Sequence, residues 1–142
     1  MRTVNVSSRV VGTFVKTDSP DHITGTTQDE KSGDLYVTAY NAVYRIAYTQ
    51  RTVKLISGSP STDGYRDSTL LNSLFDYPVH VIVITPGTLL VADYNNKKLR
   101  RVDMKSDKVT TLSATNLLNE PYSLLLTSNT LYVGQRRKIT HY

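Results

Sequence analysis

Cysteine is absent from the 142 residues, which removes disulfides, thiolate metal sites and cysteine nucleophiles together. The absence fits a reducing compartment, and a cytoplasmic location is the favoured reading. No run of roughly 18 apolar residues occurs, so no membrane-spanning helix is expected. The opening MRTVNVSSRVVGTF lacks the long apolar core of a secretory signal, so none is expected there. Phosphate-cradling glycine loops, a G-x-S-x-G nucleophile turn and acidic calcium loops are missing as well. Acidic residues are the minority charge, and the net charge is +5. On a small domain that serves solubility, and it also permits weak attraction to nucleic acid.

What is present is tyrosine and repetition. LYVTAYNAVYRIAY, from Leu35 to Tyr48, carries a tyrosine at every fourth position. That spacing lays side chains along one helix face, yet Val, Thr and Tyr favour strands. The repeat decides the matter. Three segments align, at 20–57, 78–113 and 121–142. Each opens on a proline, runs through β-prone residues and a polar turn, and reaches an apolar triplet: Leu35-Tyr36-Val37, Leu89-Leu90-Val91 and Leu131-Tyr132-Val133. Where the first copy has Tyr40-Asn41-Ala42, the second has DYNNKK, a run of turn residues. Leu35–Tyr48 is therefore predicted to be a hairpin, with its tyrosines on two strands.

Each full copy reads as four short strands, a to d. Strand b is apolar throughout, which predicts burial on both faces. Four-stranded sheets packed radially satisfy this, and the spacing of the copies brackets the period of a propeller blade, about 40–50 residues. The fold class expected is all-β: antiparallel four-stranded propeller blades, about three in a single domain over 1–142. Residues 2–8, RTVNVSS, resemble RTVKLISG at Arg51–Gly58 and read as strand d of a further blade.

The second copy, with the loop before it, resembles NHL repeats, the units of six-bladed β-propellers. Gly64, Asp67, Leu71, Phe75 and Pro78 fill the family's loop positions, and LLVADYNNKKLRRVD places Asp93, Asn95, Asn96 and Arg100 at its characteristic sites. Asp67, Phe75, Pro78, Asp93 and Asn95 are read as structural, with Asp93 accepting N–H groups of the b–c turn. The resemblance implies a non-catalytic binding or scaffold module with protein partners and no cofactor. It also brings two alternatives. Some propellers of this type bind single-stranded RNA on a basic surface, for which Lys97, Lys98, Arg100, Arg101, Arg136, Arg137 and Lys138 are the candidates. Metal-dependent relatives place histidines around the propeller axis. His22 and His80 each follow a proline by two residues and read as repeat-equivalent, partly exposed positions near that axis. Two ligands fall short of the three that zinc catalysis uses, so no metal site and no catalytic residue is assigned. A homodimer closing a six-bladed ring is expected as well, with strand 2–8 of one chain completing the 121–142 blade of the other.

Overall fold

The computed structural model describes residues 2–5, 10–13, 20–112, 118–136 and 138–141. Arg2–Asn5 (β1) and Val10–Thr13 (β2) form a two-stranded antiparallel ladder. Ile23–Gln28 (β3), Leu35–Ala39 (β4), Ala42–Ile46 (β5) and Val53–Gly58 (β6) form a four-stranded meander. Pro78–Thr85 (β7), Thr88–Asp93 (β8), Lys98–Asp103 (β9) and Lys108–Thr111 (β10) form the second. Pro121–Leu126 (β11), Leu131–Gln135 (β12) and Lys138–His141 (β13) make a three-stranded sheet of the same order. These are propeller blades. β3 packs against β7, and β7 against β11, so the first strands of successive blades stand side by side.

The tyrosine run is a hairpin. Leu35 pairs with Ile46 and Ala39 with Ala42, leaving Tyr40 and Asn41 as a two-residue turn. Tyr36 lies in the core, Tyr44 is partly covered, and Tyr40 and Tyr48 are exposed. The apolar triplets supply the packing between blades. Tyr36, Val43 and Ile56 of the first blade meet Val81, Leu89, Val91 and Val102 of the second. Leu90, Ala92 and Leu99 on the other face meet Leu118, Leu124 and Val133 of the third. Alternate residues of β8 thus serve opposite interfaces, which is why that strand is buried at every position.

Two expectations change. Arg2–Asn5 is not a lone strand, because it pairs with Val10–Thr13, a strand the repeat pattern did not reveal. The proline alignment is also out of step in the first blade. Ile23, Pro78 and Pro121 are the residues that pair with Ala39, Asp93 and Gln135. Each first strand then carries a bulged residue near its start, Thr24, Val79 or Tyr122, and β7 has a second register shift between Val83 and Thr85. The true equivalents of His80 are Gly25 and Ser123, and those of His22 are Tyr77 and Glu120. His22 and His80 therefore do not occupy matching positions. Pro20 starts no ladder, whereas Ile23, which does, is not a proline.

Candidate functional site

Arg100 belongs to a buried node rather than to a basic surface. Its side chain is 0% exposed. Nε and Nη2 donate to Asp67 Oδ1 at 3.2 and 2.7 Å. Nη1 donates to Asp93 Oδ2 at 2.7 Å and to the Leu74 carbonyl at 2.9 Å, and Nη2 also donates to the Arg66 carbonyl. All five guanidinium donors are therefore used. The Phe75 and Tyr65 rings lie 5.0 Å from its central carbon, within cation–π range. Asp67 reaches on to the Thr111 N–H in β10, so the 59–77 loop is clamped to the second blade at both ends of the guanidinium.

Asp93 is buried, with different partners from those expected. It accepts the N–H of Asp76, ahead of β7, and the side chains of Asn96 and Arg100. Burial pushes its carboxyl up, and those three donors act in the opposite direction. Asn95 binds Asp76 through both backbone and side chain. In the third blade Gln135 accepts the N–H of Asn119. The longer amide there does what Asp93 does for Asp76.

The remaining basic candidates scatter. Arg101 pairs with Asp103 and Arg136 with Glu120, both at 3.2 Å. Lys97 is exposed and Lys98 partly buried. Arg137 and the Lys138 side chain lie outside the described residues. His80 is half-buried, and its Nδ1 accepts the Leu124 N–H at 3.0 Å across the boundary between blades. Burial pulls its imidazole below the ordinary range. A depressed histidine stabilises the fold above its unfolded value, about 6.5, and that contribution is lost as pH falls. Thermal melts should therefore drop as pH falls through and below about 6.5, and His80→Gln should flatten the drop. An unchanged pH dependence in that variant would remove the link. Among the described residues no three His, Asp or Glu side chains gather as metal ligands.

What the structure does bring together is a row of side chains at one rim, from two positions of each blade. The residue just before the first strand is His22, Tyr77 or Glu120. The first residue of the b–c turn is Tyr40, Tyr94 or Arg136. They follow one another as Tyr40, His22, Tyr77, Tyr94, Glu120 and Arg136. Ring centroids are 6.1 Å apart for Tyr40–His22, 6.3 Å for His22–Tyr77 and 6.1 Å for Tyr77–Tyr94. Tyr94 then donates its hydroxyl to Glu120, which also takes Arg136. Three of the six, Tyr40, Tyr77 and Glu120, have φ of +51° to +52°. Left-handed backbone is uncommon outside glycine and, for a bulky side chain, strained. Sequence reasoning missed the row because its members sit outside or between the strands that carry the repeat. Aligning by ladder partners rather than by proline would have found it.

A cavity of about 450 Å³ opens at the opposite ends of β3, β7 and β11, lined by Gln28, Lys31, Ile82, Ile84, Leu125 and Leu126 among others. Concavity and aromatic chemistry thus lie at opposite ends of the blades. Three rim residues have left-handed backbone and none of the residues lining the hollow does, so the rim is the better candidate. Among the described residues no helix is long and apolar enough to cross a membrane.

No protein-family model matches the chain, and no curated protein sequence does. Solved structures do. A structural-genomics protein of unknown function from Bacteroides thetaiotaomicron matches with a TM-score of 0.79 at 18% identity, over 94% of this chain and 39% of its own. An auxiliary nutrient binding protein from Bacteroides ovatus gives 0.79 at 14%, over 99% and 43%. Virginiamycin B lyase from Staphylococcus aureus gives 0.61 at 14%, over 89% and 42%. The chain spans less than half the length of each. These neighbours are β-propeller proteins, and the likeness establishes the fold alone.

Proposed function

We propose that this chain is a non-catalytic binding module that holds protein partners across the Tyr40–Arg136 rim, and that its blades are of NHL type. The observation that carries the reading is the strained backbone under the exposed rings. Glycine at Tyr40 or Tyr77 would relieve a cost of order 1–3 kcal/mol, so local folding does not explain a tyrosine there. Tyrosine supplies broad, rigid, amphipathic contact area at low entropic cost, the property that favours it in protein-binding surfaces. The name of the Bacteroides ovatus neighbour also speaks for binding, whereas the lyase speaks for catalysis.

The test is a selection of random displayed peptides on the native protein, followed by their binding to Tyr77→Gly. The variant is expected to be as stable as the parent or more so, and to lose the selected peptides. Strain relief without loss of binding would sink this reading.

A second reading concerns assembly. Tyr132 is 41% exposed, while its equivalents Tyr36 and Leu90 are 5% and 3% exposed because the next blade covers them. Tyr122 and Leu125 are exposed near it, around one shallow hollow. We propose that a second copy covers this face. Because Arg2–Asn5 is paired with Val10–Thr13, face-to-face packing replaces simple strand completion. Light scattering should show a dimer that Tyr132→Glu converts to monomer. A parent chain that is monomeric at micromolar concentration would refute it.

A further inference from the structure

The rim is not equally suited to every partner. Its four rings are splayed rather than stacked, with interplanar angles of 35°, 39° and 79° along the row. Each neighbouring pair therefore bounds a shallow V. The three centroid steps add up to a contour of about two turns of polyproline II helix, at about 3.1 Å per residue. That backbone makes no hydrogen bonds of its own, so its carbonyls need outside donors. Among the described residues the hydroxyls of Tyr40 and Tyr77 have no protein partner and supply such donors. At the end of the row Glu120 pairs with Arg136, and Lys97 acts on the same carboxylate. A phosphate backbone, which is held by uncompensated cations, finds no row of them among the described residues of the rim.

We infer that the rim takes a proline-rich segment in polyproline II conformation, its pyrrolidine rings seated between the tyrosines and its carbonyls on their hydroxyls. This rests on the rim being the binding face. It adds the class of ligand, which aromatic-lined grooves recognise because the segment is already ordered before it binds. Tyr77, at the centre of the row and in contact with both neighbours, is the anchor.

The full chain would be titrated with a polyproline peptide and with a glycine–serine peptide of the same length, following the tyrosine ring resonances. Saturable shifts of Tyr40, Tyr77 and Tyr94 are expected with polyproline only. Tyr77→Ala, checked for folding by circular dichroism, is expected to weaken binding by about tenfold or more, as central aromatic anchors do. Tyr40→Ala, at the end of the row, is expected to weaken it less. No saturable response, an equal response to glycine–serine, or unchanged affinity in Tyr77→Ala overturns the inference. So does a response at the rim to single-stranded RNA or to an oligosaccharide in place of polyproline. Rim-dependent peptides that lack proline, if the display selection returns them, overturn this ligand class and leave the rim as the binding face.

Discussion

Arg100→Tyr is expected to cost about 3–5 kcal/mol, the loss seen when one partner of a buried ion pair is removed. The substitution strands the Asp93 carboxylate, which is 0% exposed. It also takes the donors from the Leu74 and Arg66 carbonyls and from Asp67. The first blade shows what a neutral version of the site looks like. There Ala39 stands at the Asp93 position and Tyr44 at the Arg100 position, as the paired strands require. Arginine and aspartate are thus present together in the second blade and absent together in the first. The double variant Asp93→Ala/Arg100→Tyr should recover part of the loss, because no buried charge is left behind. Recovery should be incomplete, since the loop carbonyls still lack donors. Urea unfolding of the four members of the cycle measures the coupling. A double variant no more stable than Arg100→Tyr alone would show that Asp93 is not the group Arg100 serves.

Gly25→Ala is the second large effect. An added methyl would sit 2.7 Å from both His80 Cα and the Val79 carbonyl oxygen, and 2.8 Å from Thr38 Oγ1. Two of these are backbone atoms of the next blade, so relief requires the blades to part. Overpacking a tight contact typically costs about 1–3 kcal/mol, and this one belongs at the upper end. The Thr24 hydroxyl, which donates to the Pro78 carbonyl at 2.6 Å, would be displaced with it. A fall in melting temperature of several degrees follows for a domain of this size. A variant that melts with the parent would mean that the first two blades are not held at this separation. The equivalent residue in the second blade, His80, does the reverse. Its ring fills the gap to the third blade and accepts the Leu124 N–H.

The hairpin and the radial sheets were legible because their signals are local. Asn-rich turns and apolar triplets mark strands and their ends without reference to anything distant. Register was not legible in the first blade. Pro20 looked like Pro78 and Pro121, but a ladder is set by its partner strand, and nothing within β3 announces that Ile23 pairs with Ala39. The bulges of the first strands are equally silent. Arg100 shows a different limit. KKLRR reads as a basic run, and alternation alone cannot say which arginine turns inward. The clue lay in the other repeat, in the joint exchange of two positions: Asp93 with Arg100, Ala39 with Tyr44. The rim residues were hidden for a third reason. They belong to turns and strand entries, where strain and contact across blades matter and periodicity does not.

The clamp on the 59–77 loop has a consequence for how the molecule opens. Segments of this length without regular strands ordinarily breathe independently and exchange their amide protons quickly. Here Val109 donates to the Ser68 carbonyl, Gly64 to the Phe75 carbonyl, and Arg66 and Leu74 bond each other in both directions. Arg100 ties the same segment to the centre of β9. Releasing the loop means exposing a buried guanidinium, so loop and second blade form one cooperative unit. Amides at Arg66 and Leu74 accordingly share the protection of the strands beside them, and the rim tyrosine that follows, Tyr77, is delivered on a support that does not open ahead of the blade.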